Sequence, residues 1–117
     1  MDFKELILVF AGGGAGSVIR WMIARLWPIG LFPAGTLLAN ILAVLILGLA
    51  LKFIHNHDAL RVFLITGFCG GLSTFSTFSL ESVNLLRSGH QMFFLLNILL
   101  SISICLGVVF FLQKIKA

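Results

Sequence analysis

The sequence predicts an all-α membrane protein of four transmembrane helices, and three observations carry that expectation. Apolar residues make up 60% of the chain and charged residues 10%, with a mean hydropathy of +1.15, a balance outside the range of soluble domains. The chain contains four apolar runs on the scale of the roughly 20 residues that a helix needs to cross a hydrocarbon core of about 30 Å. These runs do not alternate apolar and polar residues, as the strands of a membrane β-barrel do. One domain over residues 1–117 is expected, with spans near 5–27, 30–53, 61–87 and 91–114, the third broken near 70–74.

The first segment is apolar from Leu6 to Ile19 and continues past Arg20 to about Trp27. Asp2 and Glu5 precede it and no small-residue cleavage pattern follows, so a cleaved signal peptide is not expected. Gly12, Gly13, Gly14 and Gly16 would weaken a helix in water, but in a membrane they let backbones approach, as in a small-xxx-small contact of Gly12 with Gly16. A nucleotide-binding loop is excluded because no strand–turn–helix context and no following Lys-Ser/Thr exists. Arg20 either snorkels to an interface or faces a wet cavity. Trp21 and Trp27, with Pro28 ending the helix, read as an interfacial belt.

The second segment, Ile29 to Leu51, carries no charge. Thr36 and Asn40 lie four apart and share a helical face. An Asn amide in hydrocarbon needs partners: either it bonds a neighbouring helix, or it presents an N–H donor to a passing solute. The following loop, Lys52 to Arg61, holds His55, His57 and Asp58, which read as a polar loop rather than a metal site. His90, in the last short turn, reads as solvated.

The third segment, Val62 to Leu80, has Gly70 and Gly71 at its midpoint, so unwinding there falls near the bilayer centre. Open backbone at that depth is tolerated only where it is buried in protein, lines a wet cavity or binds an ion. Ser73 or Thr74 can cap a second half-helix. The carbonyls ending the first half suit a cation, and the N–H groups opening the second suit an anion. Phe75 and Phe78 follow among Ser76, Thr77 and Ser79. A ring edge is electropositive and can contact an anion. The fourth segment, Met92 to Leu112, sets Asn97 and Ser101 on one polar stripe.

The net charge of +4 is spread over segment ends rather than clustered, so no nucleic-acid partner is expected. Cys69 and Cys105 lie within apolar spans without metal-type spacing and read as small packing residues. With four spans, one side holds Lys4, Lys52, Arg61, Lys114 and Lys116, and the other Arg25 and Arg87, with Arg20 if it is not intramembrane. That mild asymmetry favours the termini inside but also allows insertion both ways round, which would produce antiparallel homodimers.

The stretch GFCGGLSTFSTFSLE, Gly67 to Glu81, closely resembles the signature of the Fluc (CrcB) fluoride channels, and the resemblance extends to the glycine-rich first helix ending in Arg20 and to Gly35–Asn40. It implies a passive fluoride channel of the cell inner (plasma) membrane, working in the lipid bilayer as an antiparallel dual-topology homodimer with two pores. A structural sodium ion (Na+) would lie at the dimer interface, held by the backbone carbonyls of Gly70 and Ser73. The fluoride path would be lined by Asn40, Phe75, Phe78, Ser76, Thr77, Ser79 and Ser101, with Arg20 and Glu81 as vestibule residues or ordinary interfacial charges. Ser73 stands where Thr is common in the family, a difference that does not touch a backbone carbonyl. The rivals are a small dual-topology proton-coupled exporter, which needs an acid inside a span, and a non-transporting membrane assembly subunit. An enzyme is not expected, since no paired carboxylates and no serine with a plausible base occur in the spans.

Overall fold

The computed structural model describes residues 1–27 and 30–115. Its described residues form four helices long and apolar enough to cross a membrane, Phe3–Leu26, Ala34–Phe53, Asp58–Arg87 and Gln91–Lys114. The chain is thus a multi-pass membrane protein with the expected four-span helical fold. The third span is two helices in series, so the elements are α1 (Phe3–Leu26), α2 (Ala34–Phe53), α3 (residues 58–72), α4 (Phe75–Arg87) and α5 (Gln91–Lys114).

Local chemistry sets the helix ends. The Asp2 carboxylate accepts from the Lys4 N–H at 3.3 Å and caps α1. The helix end expected at Pro28 lies outside the described residues, as does Lys116. Span 2 starts at Ala34 rather than near residue 30, because Gly30 takes φ +50° and Pro33 stands at the N-cap with ψ 64°. Gly89, at φ +84°, makes the turn from α4 to α5. Beside it His90 is half-buried rather than free in solvent: Nδ1 lies 2.8 Å from the Ser88 hydroxyl and the ring stacks on Phe93.

Helices α1 and α3 meet backbone to backbone. A Cβ on Gly12 would strike the Phe63 carbonyl, and one on Gly16 the Phe68 carbonyl and the Leu72 N–H. From the other side a Cβ on Gly71 would strike the Gly13 carbonyl, and one on Gly67 would crowd the Val9 carbonyl at 3.0 Å. The small-xxx-small expectation for Gly12 and Gly16 therefore holds, with glycines on the facing helix completing the contact. Because the atoms in the way are backbone, they cannot swing aside. Gly16→Leu is expected to destabilise the protein by about 1–3 kcal/mol or more, whereas Gly14→Ala, which meets nothing within 4 Å, should be near neutral. Thermal unfolding in detergent micelles checks this, and equal shifts for the two variants would refute the packing.

The core lies at the C-terminal end of α3. Ala39 and Ala43 of α2 pack on Leu72, which is 1% exposed, with Ile23, Leu42, Ile46 and Phe68 around them. Helix α3 is α-helical at Asp58–Arg61, widens to a π-helix over Val62–Cys69, and returns to α over Gly70–Leu72. Widened turns of this kind concentrate next to functional sites.

The break falls within the expected stretch 70–74, at Ser73 and Thr74 rather than at the double glycine itself. Gly70 and Gly71 stay helical, and the chain leaves the helix at Ser73 (φ −80°, ψ 156°) and Thr74 (φ −151°, ψ 123°). Gly71 is needed for its missing Cβ, which lets α3 close on Gly13. At the opening the Thr74 N–H is bonded by Asn40 of α2 and the Thr74 side chain caps α4.

Candidate functional site

The break is held by Asn40 of α2. Its Oδ1 accepts from the Thr74 N–H at 2.8 Å, and its Nδ2 donates to the Thr74 carbonyl at 3.4 Å. A costly intramembrane amide is thereby satisfied by a backbone that would otherwise be unpaired. The Thr74 hydroxyl accepts from the Thr77 N–H at 3.1 Å and caps α4. Of the two capping candidates, Thr74 takes the role; the Ser73 hydroxyl instead donates to the Cys69 carbonyl at 2.9 Å.

These bonds have a second effect. In an unbroken helix the Thr74 N–H would serve the Gly70 carbonyl and the Thr77 N–H the Ser73 carbonyl. Both donors are turned to side chains, so Gly70 and Ser73 lose their helical partners. Of the two carbonyls between them, that of Gly71 accepts from Arg20 Nε at 3.1 Å. Arg20 therefore reaches inward to the C-terminal end of α3, where the helix dipole favours a cation. Two neutral oxygens without their regular donors, in a segment where Gly70 is exposed, form a donor set that fits a hard monovalent cation.

Along the break runs a groove of about 320 Å³ that brings together Asn40, Ser73, Thr74, Phe75, Phe78 and Ser101. Phe75 is 78% exposed and Phe78 half-buried; their ring centroids are 5.7 Å apart and the planes 41° from parallel. Ser76, Thr77 and Ser79 are not among its lining residues. The Ser76 hydroxyl lies 3.2 Å from Thr74 Oγ1 and the Ser79 hydroxyl donates to the Phe75 carbonyl at 2.8 Å. Glu81 also stands apart, in a pocket of about 160 Å³ with Gly35 and Thr36. Its Oε1 is buried without a hydrogen-bond partner among the described residues.

One polar residue that the sequence did not single out belongs to this region. Ser82 of α4 donates to the Phe78 carbonyl at 2.7 Å and accepts from Asn97 Nδ2 at 2.9 Å, while Ser101 donates to Asn97 Oδ1 at 3.4 Å. The Asn97–Ser101 stripe thus faces a partner, and Asn97 is 2% exposed. The signal was legible: Phe75, Phe78 and Ser82 are spaced i, i+3 and i+7 on one helical face.

Comparison with known proteins agrees with this architecture. A family model described as "CrcB-like protein, Camphor Resistance (CrcB)" matches residues 7–112. The chain is similar to the fluoride-specific ion channel FluC of Pyrococcus furiosus, at 44% identity over 116 residues and 94% of each chain. It is also similar to that of Serratia proteamaculans, at 46% over 106 residues, covering 86% of this chain and 84% of the relative. The channel of Pyrococcus abyssi is 40% identical over 115 residues and 94% of each chain. With the family model spanning nearly all of its length and relatives this similar over most of theirs, the chain belongs to the CrcB-like family.

Proposed function

We propose that this protein is a fluoride-selective channel of the cell inner membrane that lets fluoride leave passively and so lowers cytoplasmic fluoride. The groove at the break carries the reading: Asn40, Phe75, Phe78 and Ser101 converge there with no lysine or arginine among its lining residues. Fluoride is small and strongly hydrated, so a path must replace water with N–H, O–H and ring-edge contacts, and a fixed positive charge would trap the ion. Asn40 spends one amide hydrogen on Thr74 and keeps the other for an anion. Ser76, Thr77 and Ser79 extend the polar side of α4 beyond the groove. The similar proteins named as fluoride-specific channels support the choice of ion. No catalytic step is assigned.

The working unit in this reading is an antiparallel homodimer, inserted both ways round in the bilayer. A structural sodium ion at its interface would be held by the Gly70 and Ser73 carbonyls, fixing the breaks of the two subunits against each other. Fluoride efflux from proteoliposomes, with chloride as control, tests the function; efflux of neither ion overturns it. Replacing sodium by N-methylglucamine is expected to reduce fluoride flux, and insensitivity would count against the two carbonyls as ligands. A proton-coupled exporter is favoured by one observation, a Glu81 oxygen in the third span that has no hydrogen-bond partner among the described residues. An imposed pH gradient separates the two: a channel's net fluoride flux follows the electrochemical gradient of fluoride and needs no proton gradient.

A further inference from the structure

Three serines near the break bond back to the carbonyl four residues earlier, each over a short distance. Ser73 reaches Cys69 at 2.9 Å, Ser79 reaches Phe75 at 2.8 Å and Ser82 reaches Phe78 at 2.7 Å. This is the ordinary resting place of a helical serine hydroxyl. Ser101 differs. The residue four positions before it is Asn97, and its hydroxyl goes to the Asn97 side chain, at 3.4 Å, beyond the usual range for an O–H···O bond.

The direction of the protons in this chain is dictated by its inner end. The Phe78 carbonyl can only accept, so the Ser82 proton points to it. The Ser82 oxygen then accepts from the Asn97 amide, which places Nδ2 toward Ser82 and Oδ1 toward Ser101. Ser101 is therefore the donor in the last link. The bonds lengthen along the network, from 2.7 and 2.9 Å at Ser82 to 3.4 Å at Ser101, which lines the groove.

We propose that Asn97 is a positioning residue that keeps the Ser101 hydroxyl available to fluoride. It accepts the Ser101 proton weakly, holding it away from the backbone carbonyl, so that an anion entering the groove captures it by rotation of one hydroxyl. A fully back-bonded serine would instead have to break a bond of ordinary strength first. The inference rests on the fluoride-channel reading and adds to it a residue that does not itself line the groove.

The test is a double-mutant cycle on fluoride efflux from proteoliposomes. Ser101→Ala and Asn97→Leu are each expected to lower flux by about fivefold, the size of one net hydrogen bond that must be broken to free a donor. The double variant is expected to match Ser101→Ala alone, because Asn97 acts through Ser101. An equal proportional loss from Asn97→Leu in both backgrounds would assign Asn97 a purely structural role and overturn the proposal, as would full flux in Ser101→Ala. If Asn97→Leu does not yield folded protein, Asn97→Ala runs the same cycle. Wild-type protein without fluoride flux would sink the channel reading itself; wild-type flux with an additive cycle would sink only the role of Asn97.

Discussion

Phe78→Ile is expected to cut fluoride efflux by more than about tenfold while the protein remains folded, and Phe75→Ile to do the same. The exchange keeps the site apolar at a moderate packing cost for the smaller side chain, but it removes the electropositive ring edge that can face an anion. Phe75 is 78% exposed, so its packing contributes little in the single chain and a loss of flux would report on the ring itself. The two rings stand 5.7 Å apart with planes 41° from parallel, and both line the groove. Efflux measured on size-exclusion-purified variants decides the matter. Unchanged flux in both would remove the rings from the path.

Asn40 carries the other large expected effect, and there the fold and the path are coupled. Asn40→Ala would leave the Thr74 N–H and carbonyl without their partners. At membrane depth each unpaired group costs about 1–3 kcal/mol, so the variant is expected to lose both thermal stability and about 100-fold or more in flux. Asn40→Asp separates the two contributions. Its carboxylate still accepts from the Thr74 N–H, so stability should fall less than in the alanine variant. It offers no amide donor and places a negative charge in the groove, so flux should fall at least as far. An aspartate variant with normal flux would confine Asn40 to holding the break.

How far the site could be read in advance depended on whether a residue's partner was near in sequence. Asn40 was recognisable as an intramembrane amide, and Phe75, Phe78 and Ser101 as candidates for an anion path; all four meet at one groove. The glycines were a different matter. Gly70 and Gly71 suggested a break by their weak helix propensity, yet the chain opens at Ser73 and Thr74. The Thr74 cap is a local preference, but Asn40, which pairs with the Thr74 backbone, lies 34 positions away in the chain, and no local preference encodes that partner. Arg20 offered a choice between interface and cavity, and its bond to the Gly71 carbonyl, across 51 positions, turned it toward the break. Ser82 was legible by its spacing from Phe75 and Phe78 on one face, but its partner Asn97, 15 positions away, was not.

Hydropathy and length alone determined the class of the molecule and its four spans, because crossing a bilayer demands enough apolar residues in a row and a backbone bonded within itself. The spacing of Gly12 and Gly16 likewise determined which side of α1 would meet a neighbour. Tertiary structure decided where the third span opens, which carbonyls lose their helical donors, and which way the hydroxyls around the groove point. Those depend on hydrogen bonds between helices distant in sequence, and a hydrogen bond is set by distances and directions that exist only once the helices have packed.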